Sequence, residues 1–129
     1  MELPRTPTIL LVDDEPTVRS VIAEMLREKG YLVLEATSGH EALAASDAHS
    51  GVIDLLLTDL IMPGMTGRML ADTLSVRRPG TVVVFISGYV GDSPSFLTEE
   101  GLHFIKKPVS PETLLAKISD ALSGSNKKR

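Results

Sequence analysis

The sequence predicts an α/β domain: five parallel strands in one sheet, with helices on both faces, giving three layers. Three observations carry that prediction. Short apolar runs alternate with helix-like segments five times along the chain. The runs are continuous rather than alternating in polarity, as befits strands buried on both faces. Only tight turn signals separate the units, with no linker or low-complexity segment between them.

The first run, Thr8 to Val12, stops at Asp13-Asp14, and Glu15-Pro16 opens a helix at once, since proline suits a first helical turn. Val18, Val21, Ile22, Met25 and Leu26 fall at i, i+3, i+4, i+7 and i+8 and predict one inward face, with Gly30 as the stop. Tyr31 to Ala36 reads as the second strand. Ser38-Gly39-His40-Glu41 then has capping-box spacing, opening a helix through Ala42, Leu43 and Ala45. Val52 to Thr58 is the third strand, Gly67 to Arg78 the third helix, and Pro79-Gly80 the turn into a fourth strand, Thr81 to Ile86. The stretch Tyr89 to Leu102 carries Gly91, Pro94 and Gly101, predicting a short or irregular helix and mobility. His103 to Lys106 is the fifth strand. Ser110-Pro111 caps a final helix with Leu114, Leu115, Ile118 and Leu122 inward and Gly124 as its stop.

A chain of 129 residues is the size of one domain. We expect an N-terminal extension over 1–7, the domain proper over 8–123 and a basic tail over 124–129. With 43% hydrophobic and 23% charged residues the composition is that of an ordinary globular protein. The longest apolar runs, Val82 to Ile86 and Val52 to Leu57, are strand-sized and too short to span a bilayer. The apolar part of MELPRTPTILLV is too brief for a signal peptide and runs straight into DDE, so no membrane contact is expected. The absence of cysteine excludes disulfides, thiolate metal sites and thiol catalysis, and is compatible with the cytoplasm, the location we expect. A net charge of -4 argues against a nucleic-acid partner, and Lys127-Lys128-Arg129 reads as a solvated tail.

In an open parallel sheet the C-terminal ends of the strands share one edge, where ligands bind. Four of the five predicted strands place chemistry there: Asp13-Asp14-Glu15, Asp59, Ser87-Gly88 and Lys106-Lys107-Pro108. Each group alone has a plainer reading. Asp13 or Asp14 could cap a helix, Ser87 likewise, and one of two adjacent lysines could reach to solvent. Asp59 is harder to explain that way, because Leu60-Ile61-Met62-Pro63-Gly64 cannot begin a helix. Carboxylates gathered in one crevice repel one another unless a cation joins them, and a hard divalent ion such as magnesium suits aspartates without any soft ligand. With Lys107 opposite and a hydroxyl nearby, such a site is equipped for phosphoryl transfer, with Asp59 as the nucleophile.

The motifs ILLVDDEP, LLLTDLIMPGMTG, FISGY and FIKKPVSP, in this order and over nearly the whole chain, closely resemble the receiver domain of two-component response regulators. The resemblance implies a flavodoxin-like (βα)5 sandwich with strand order 2-1-3-4-5. It implies that Asp59 accepts a phosphoryl group from a histidine kinase or histidine phosphotransfer domain. Asp14, Asp59 and the Ile61 carbonyl would hold Mg2+, or Mn2+ in its place, with Asp13 helping through water. Lys107 would contact the phosphoryl oxygens, and its bond to Pro108 is expected to be cis. Ser87 stands at the family's hydroxyl switch and Phe104 at its aromatic switch; together they would reshape the face of the fourth helix, fifth strand and fifth helix, also a surface for self-association. Plain core packing is the simpler reading of Phe104. Ile61 and Tyr89 offer no carboxylate or amide to orient an attacking water, so slow self-dephosphorylation is expected. No turnover of an external substrate is implied.

ISGY, MPGMTGR and FIKKP particularly resemble receivers at the C-terminus of hybrid histidine kinases, so either such a fragment or a stand-alone regulator is expected. Three other readings stay open. A degenerate receiver would act by docking without phosphorylation, but the acidic pair, Asp59, Ser87 and Lys107 are all present. A flavin or nucleotide binder shares the architecture, yet the acidic first loop lacks a phosphate cradle. A metal-dependent phosphohydrolase would turn over small phosphomonoesters.

Overall fold

Leu-, Ile- and Val-rich runs with no polar face can satisfy themselves only between two helical layers, and that is where the chain puts them. The computed structural model describes residues 6–88 and 103–127. Its elements are β1 (Thr8–Val12), α1 (Pro16–Glu28), β2 (Leu32–Ala36), α2 (Gly39–Ala48), β3 (Leu55–Asp59), α3 (Gly67–Arg77), β4 (Val82–Ser87), β5 (His103–Lys106) and α4 (Pro111–Lys127). The five strands form one parallel sheet in the order β2-β1-β3-β4-β5, as expected. The helix expected between Tyr89 and Leu102, and the mobility expected of it, lie outside the described residues. The final helix, expected as the fifth, is therefore α4.

Because strand side chains alternate, each strand feeds both core layers. Ile9, Leu11, Leu55, Leu57, Val84, Ile86 and Ile105 pack with Ile22 and Leu26 of α1 and Leu114 and Ile118 of α4. Leu10, Val12, Leu56 and Phe85 pack on the other face with Ala42 and Leu43 of α2 and Leu70 and Leu74 of α3. The chain leaves β1 to one side for β2 and returns to the other for β3, so a crevice opens between the C-terminal ends of β1 and β3.

The predicted caps of α2 and α4 form. Ser38 Oγ accepts from the Glu41 N–H at 3.1 Å while the Glu41 carboxylate accepts from the Thr37 N–H, and Ser110 Oγ accepts from the Thr113 N–H at 3.2 Å. Gly30 closes α1 with φ of 105°, a conformation other residues rarely adopt.

Several expectations need correction. Val21 is 47% exposed; Ile22, Ala23 and Leu26 of α1 are buried and Val18 and Met25 pack partly buried against the same core, so the inward stripe centres on Ile22 and Leu26 and Val21 falls outside it, about 100° round the helix from Ile22. The third strand starts at Leu55, not Val52, because Asp54 is occupied at the sheet's lower edge: its N–H donates to Thr8 O at 2.9 Å and its carboxylate accepts from the Thr8 N–H at 2.7 Å. Gly124 does not stop the final helix, which runs to Lys127. A glycine inside a helix costs only about 1 kcal/mol, and it ends one only where the chain takes the left-handed turn.

Candidate functional site

The alternation that sorts the core also assembles the site. Residues 9, 11, 55, 57 and 105 face the α1/α4 layer, and continuing the same parity to the upper edge of the sheet brings up Asp13, Asp59 and Lys107. Asp59 is the last residue of β3, whereas Asp13 and Lys107 each stand one residue beyond their strands. The Lys107–Pro108 bond is cis, as expected. Lys107 Nζ lies 3.2 Å from Asp13 Oδ2 and 3.2 Å from Asp59 Oδ2, so one ammonium bridges two carboxylates. Its neighbour Lys106 is exposed.

Asp13 is held at every polar atom it presents. Its N–H donates to Ala36 O at 3.2 Å, its carbonyl accepts from Arg19 Nη1 at 2.9 Å, and Oδ1 accepts from the Glu15 N–H at 2.9 Å. Only 1% of Asp13 is exposed. Asp59 is buried too; Oδ1 accepts a long bond from the Ile61 N–H at 3.4 Å and its carbonyl accepts from the Thr58 hydroxyl at 3.0 Å. Asp14 is exposed at the mouth of the crevice. Glu15, counted with the acidic pair in the sequence, instead stands exposed at the N-cap of α1.

Burial pushes the Asp59 carboxyl above its ordinary value, and the nearby Asp13 adds to this; the Lys107 ammonium and the Ile61 N–H pull against it without prevailing. For Lys107 the balance goes the other way. Burial disfavours its charge, but two carboxylates together outweigh that and raise it, so it remains an ammonium. The site therefore keeps a fixed cation on one side, while a negative charge on Asp59 comes at an energetic cost.

Carboxylate oxygens of Asp13, Asp14 and Asp59 can all lie within 4.8 Å of one another. The donors are hard oxygens, one buried pair and one exposed, which suits a small divalent ion that keeps part of its water shell. An acidic carboxyl disfavoured by burial is also the kind of group that an added cation stabilises.

Ser87 ends β4, buried, and its carbonyl accepts from the Lys107 N–H at 2.8 Å. Phe104 pairs with Phe85 across β4 and β5 and is half-buried against the α2/α3 layer. The side chain of Ile61 is exposed beside the crevice. Tyr89 lies outside the described residues. Sequence reasoning missed Arg19 and Thr66. Thr66 Oγ1 caps α3 by accepting from the Met69 N–H at 3.1 Å, and its place just before Gly67 was the available signal.

Comparison with known proteins agrees with this architecture. A family model for the response regulator receiver domain matches residues 9–119, and the chain belongs to that family. It is a receiver domain of two-component signalling, a family of signalling modules rather than substrate-turnover enzymes. It is 33% identical to the sensor kinase CckA of Brucella abortus over 94% of this chain and 13% of the kinase. It is 31% identical to protein PilH of Pseudomonas aeruginosa over 90% of this chain and 98% of that protein. Among solved structures, a CheY-like receiver domain protein from Methanospirillum hungatei superposes with a TM-score of 0.84 at 31% identity, covering 97% of this chain and 100% of the other. The receiver domain of the hybrid histidine kinase CckA gives 0.71 at 42% identity, covering 89% and 98%. The chain thus spans only a small part of several curated relatives, 13% of the sensor kinase and 31% of a cyclic di-GMP phosphodiesterase of Thermotoga maritima. No helix among the described residues is long and apolar enough to cross a membrane.

Proposed function

We propose that this receiver accepts a phosphoryl group on Asp59 from a phosphohistidine partner and relays the event through Ser87 and Phe104. The observation that carries the reading is the Lys107 bridge: one ammonium 3.2 Å from carboxylate oxygens of both Asp13 and Asp59, at a strand edge where burial alone would disfavour any charge. A carboxylate oxygen of Asp59 forms the new O–P bond as the P–N bond to the partner's histidine breaks, and the departing imidazole takes up a proton. Lys107 stands where it can pass from the Asp59 carboxylate to the incoming phosphoryl oxygens, offsetting the charge that accumulates there. Asp14, Asp59 and the Ile61 carbonyl would hold Mg2+, or Mn2+, with Asp13 acting through water; bound there, the ion neutralises phosphoryl oxygens during transfer.

Ser87 ends the strand next to β3 and supplies the hydroxyl that follows the phosphoryl group. Phe104 is the side chain that answers by repacking against the α2/α3 layer. An apolar groove of about 450 Å³ lined by Val18, Val21, Met25, Pro108 and Val109 opens beside Lys107, and suits a histidine-bearing helix of the partner kinase or phosphotransfer domain. The likeness to the CckA receiver at 42% identity supports an origin within a hybrid histidine kinase. We take residues 8–123 as the functional unit, cytoplasmic, with the face around β5 and α4 available for self-association.

The test is intact mass after incubation with acetyl phosphate and magnesium, beside an Asp59→Ala control. One added phosphoryl group, lost in the control and with chelator, supports the reading. No gain in either protein contradicts it and leaves a receiver that acts by docking.

A further inference from the structure

We propose that Arg19, aligned by Glu35, is a positioning residue for the acidic pair, and that it sets metal affinity despite carrying the charge of the metal. The inference rests on the metal-binding reading above. Arg19 is the fourth residue of α1, closing its first turn, and its largely buried guanidinium makes two directed contacts. Nη1 donates to the Asp13 carbonyl at 2.9 Å, and Nε donates to Glu35 Oε1 on β2 at 3.2 Å.

The Asp13 carbonyl belongs to the peptide plane joining Asp13 to Asp14. Fixing that plane fixes where both Cα–Cβ bonds start. Asp13 has other restraints, from Ala36, Glu15 and Lys107. Asp14 is exposed, and its side chain has no partner among the described residues, so the peptide plane is the main restraint on its direction. Glu35 keeps the guanidinium from swinging away, and it is itself shared with Arg27, whose Nη1 sits 3.0 Å from Oε2 and whose Nη2 donates to Val33 O at 3.0 Å. Arg27 thus steadies the same strand and the same carboxylate without touching Asp13.

The two effects of Arg19 on a bound cation have opposite signs, which makes the role separable. As a positive charge near the site it would repel the ion, and removing it would tighten binding. As a positioning group it holds two carboxylates in ligand geometry, and removing it weakens binding, by about tenfold or more if it acts as other groups behind metal ligands do.

The experiment is calorimetric titration of the full chain with MgCl2 for wild type, Arg19→Gln, Arg19→Lys, Glu35→Gln and Arg27→Gln, each checked for native circular dichroism. Positioning predicts about tenfold weaker binding in Arg19→Gln and weaker binding in Glu35→Gln. It also predicts partial recovery in Arg19→Lys and, because Arg27 reaches Asp13 only through Glu35 and Arg19 keeps its own bond to Glu35 Oε1, a smaller loss in Arg27→Gln than in Glu35→Gln. Unchanged or tighter binding in Arg19→Gln overturns the inference, as does an equal loss in Arg27→Gln, which would mark general loosening of α1. Should Arg19→Gln fail to fold, Glu35→Gln against Arg27→Gln decides the question in the same way. Absence of magnesium binding by the wild type would instead overturn the metal reading itself.

Discussion

Replacing Gly67 by alanine tests how tightly the loop after β3 is tied to Asp59, the proposed phosphoacceptor. Gly67 opens α3, and its N–H donates to Leu60 O at 2.9 Å, folding the segment from Leu60 to Thr66 into a closed loop. A Cβ there would stand 2.2 Å from the Asp59 carbonyl oxygen and 3.0 Å from Leu60 Cα. Both are backbone atoms, so no side chain can rotate aside, and relief requires a shift of roughly 1 Å in the backbone that carries Asp59. Overpacking of this kind costs about 1–3 kcal/mol. Alanine's better helix propensity returns about 1 kcal/mol at most. The net is a loss of about 1–2 kcal/mol, a fall in Tm of roughly 5 °C for a domain of this size. The functional cost is larger, since misplacing a reacting group by about 1 Å can slow a step on the order of a hundredfold. Thermal unfolding and the rate of labelling by acetyl phosphate measure the two effects. Gly80→Ala, where a Cβ meets nothing within 4 Å, is the control and is expected to be neutral in both. A Gly67→Ala protein as stable and as quickly labelled as wild type would refute the reasoning.

Lys107→Met leaves Asp13 and Asp59 side by side without their ammonium; a loss of about 2–3 kcal/mol is expected in chelator, with a larger stabilisation by millimolar magnesium than wild type shows, and an unchanged Tm in chelator would contradict this. Asp59 has a folded-state pKa above its unfolded value, so its ionisation costs stability above the folded pKa and costs nothing below the unfolded value near 4. Asp59→Asn should therefore raise metal-free Tm at pH 7, with the gain shrinking as pH falls toward 4; a gain independent of pH would count against the shift. Arg78 clamps the end of α2, with Nε on Ser46 Oγ, Nη2 on Ser46 O and His49 O at 2.7 Å each, and Nη1 on Gly51 O at 2.8 Å. Arg78→Ala is expected to cost about 2–3 kcal/mol by denaturant unfolding while leaving labelling of Asp59 intact, and a loss below about 0.5 kcal/mol would show the clamp to be incidental. With Ile61 beside the crevice offering no group to orient water, the phosphorylated form should last minutes or longer at room temperature, followed by phosphate release; decay within seconds would exclude that.

Which parts could be read in advance follows from where the information lies. The runs at β1 and β3 are apolar on both faces and end in aspartates, so strand type and the position of the candidate site at the strand ends were both visible in TILLVDD and LLLTD. Ser38 and Glu41 cap α2 locally, over four residues, and local rules suffice for them. Arg19 and Arg78 were not legible, because each acts through the far end of a long side chain on backbone carbonyls that only the fold brings near. Val21 fits the helical period yet faces out, since periodicity gives a stripe but not its centre. The convergence of Asp13, Asp59 and Lys107 needed both strand parity and strand order; parity is in the sequence, whereas the order was supplied by resemblance and then found in the sheet.

The central claim is that the phosphoryl group goes to Asp59 and nowhere else. An acyl phosphate is reduced by borohydride to an alcohol, which would turn a phosphorylated aspartate into homoserine. Labelling with acetyl phosphate and magnesium, reduction, and peptide mass spectrometry should find homoserine at position 59 alone. Modification at Asp13 or Asp14 instead, or stable phosphate with no homoserine anywhere, would contradict the account.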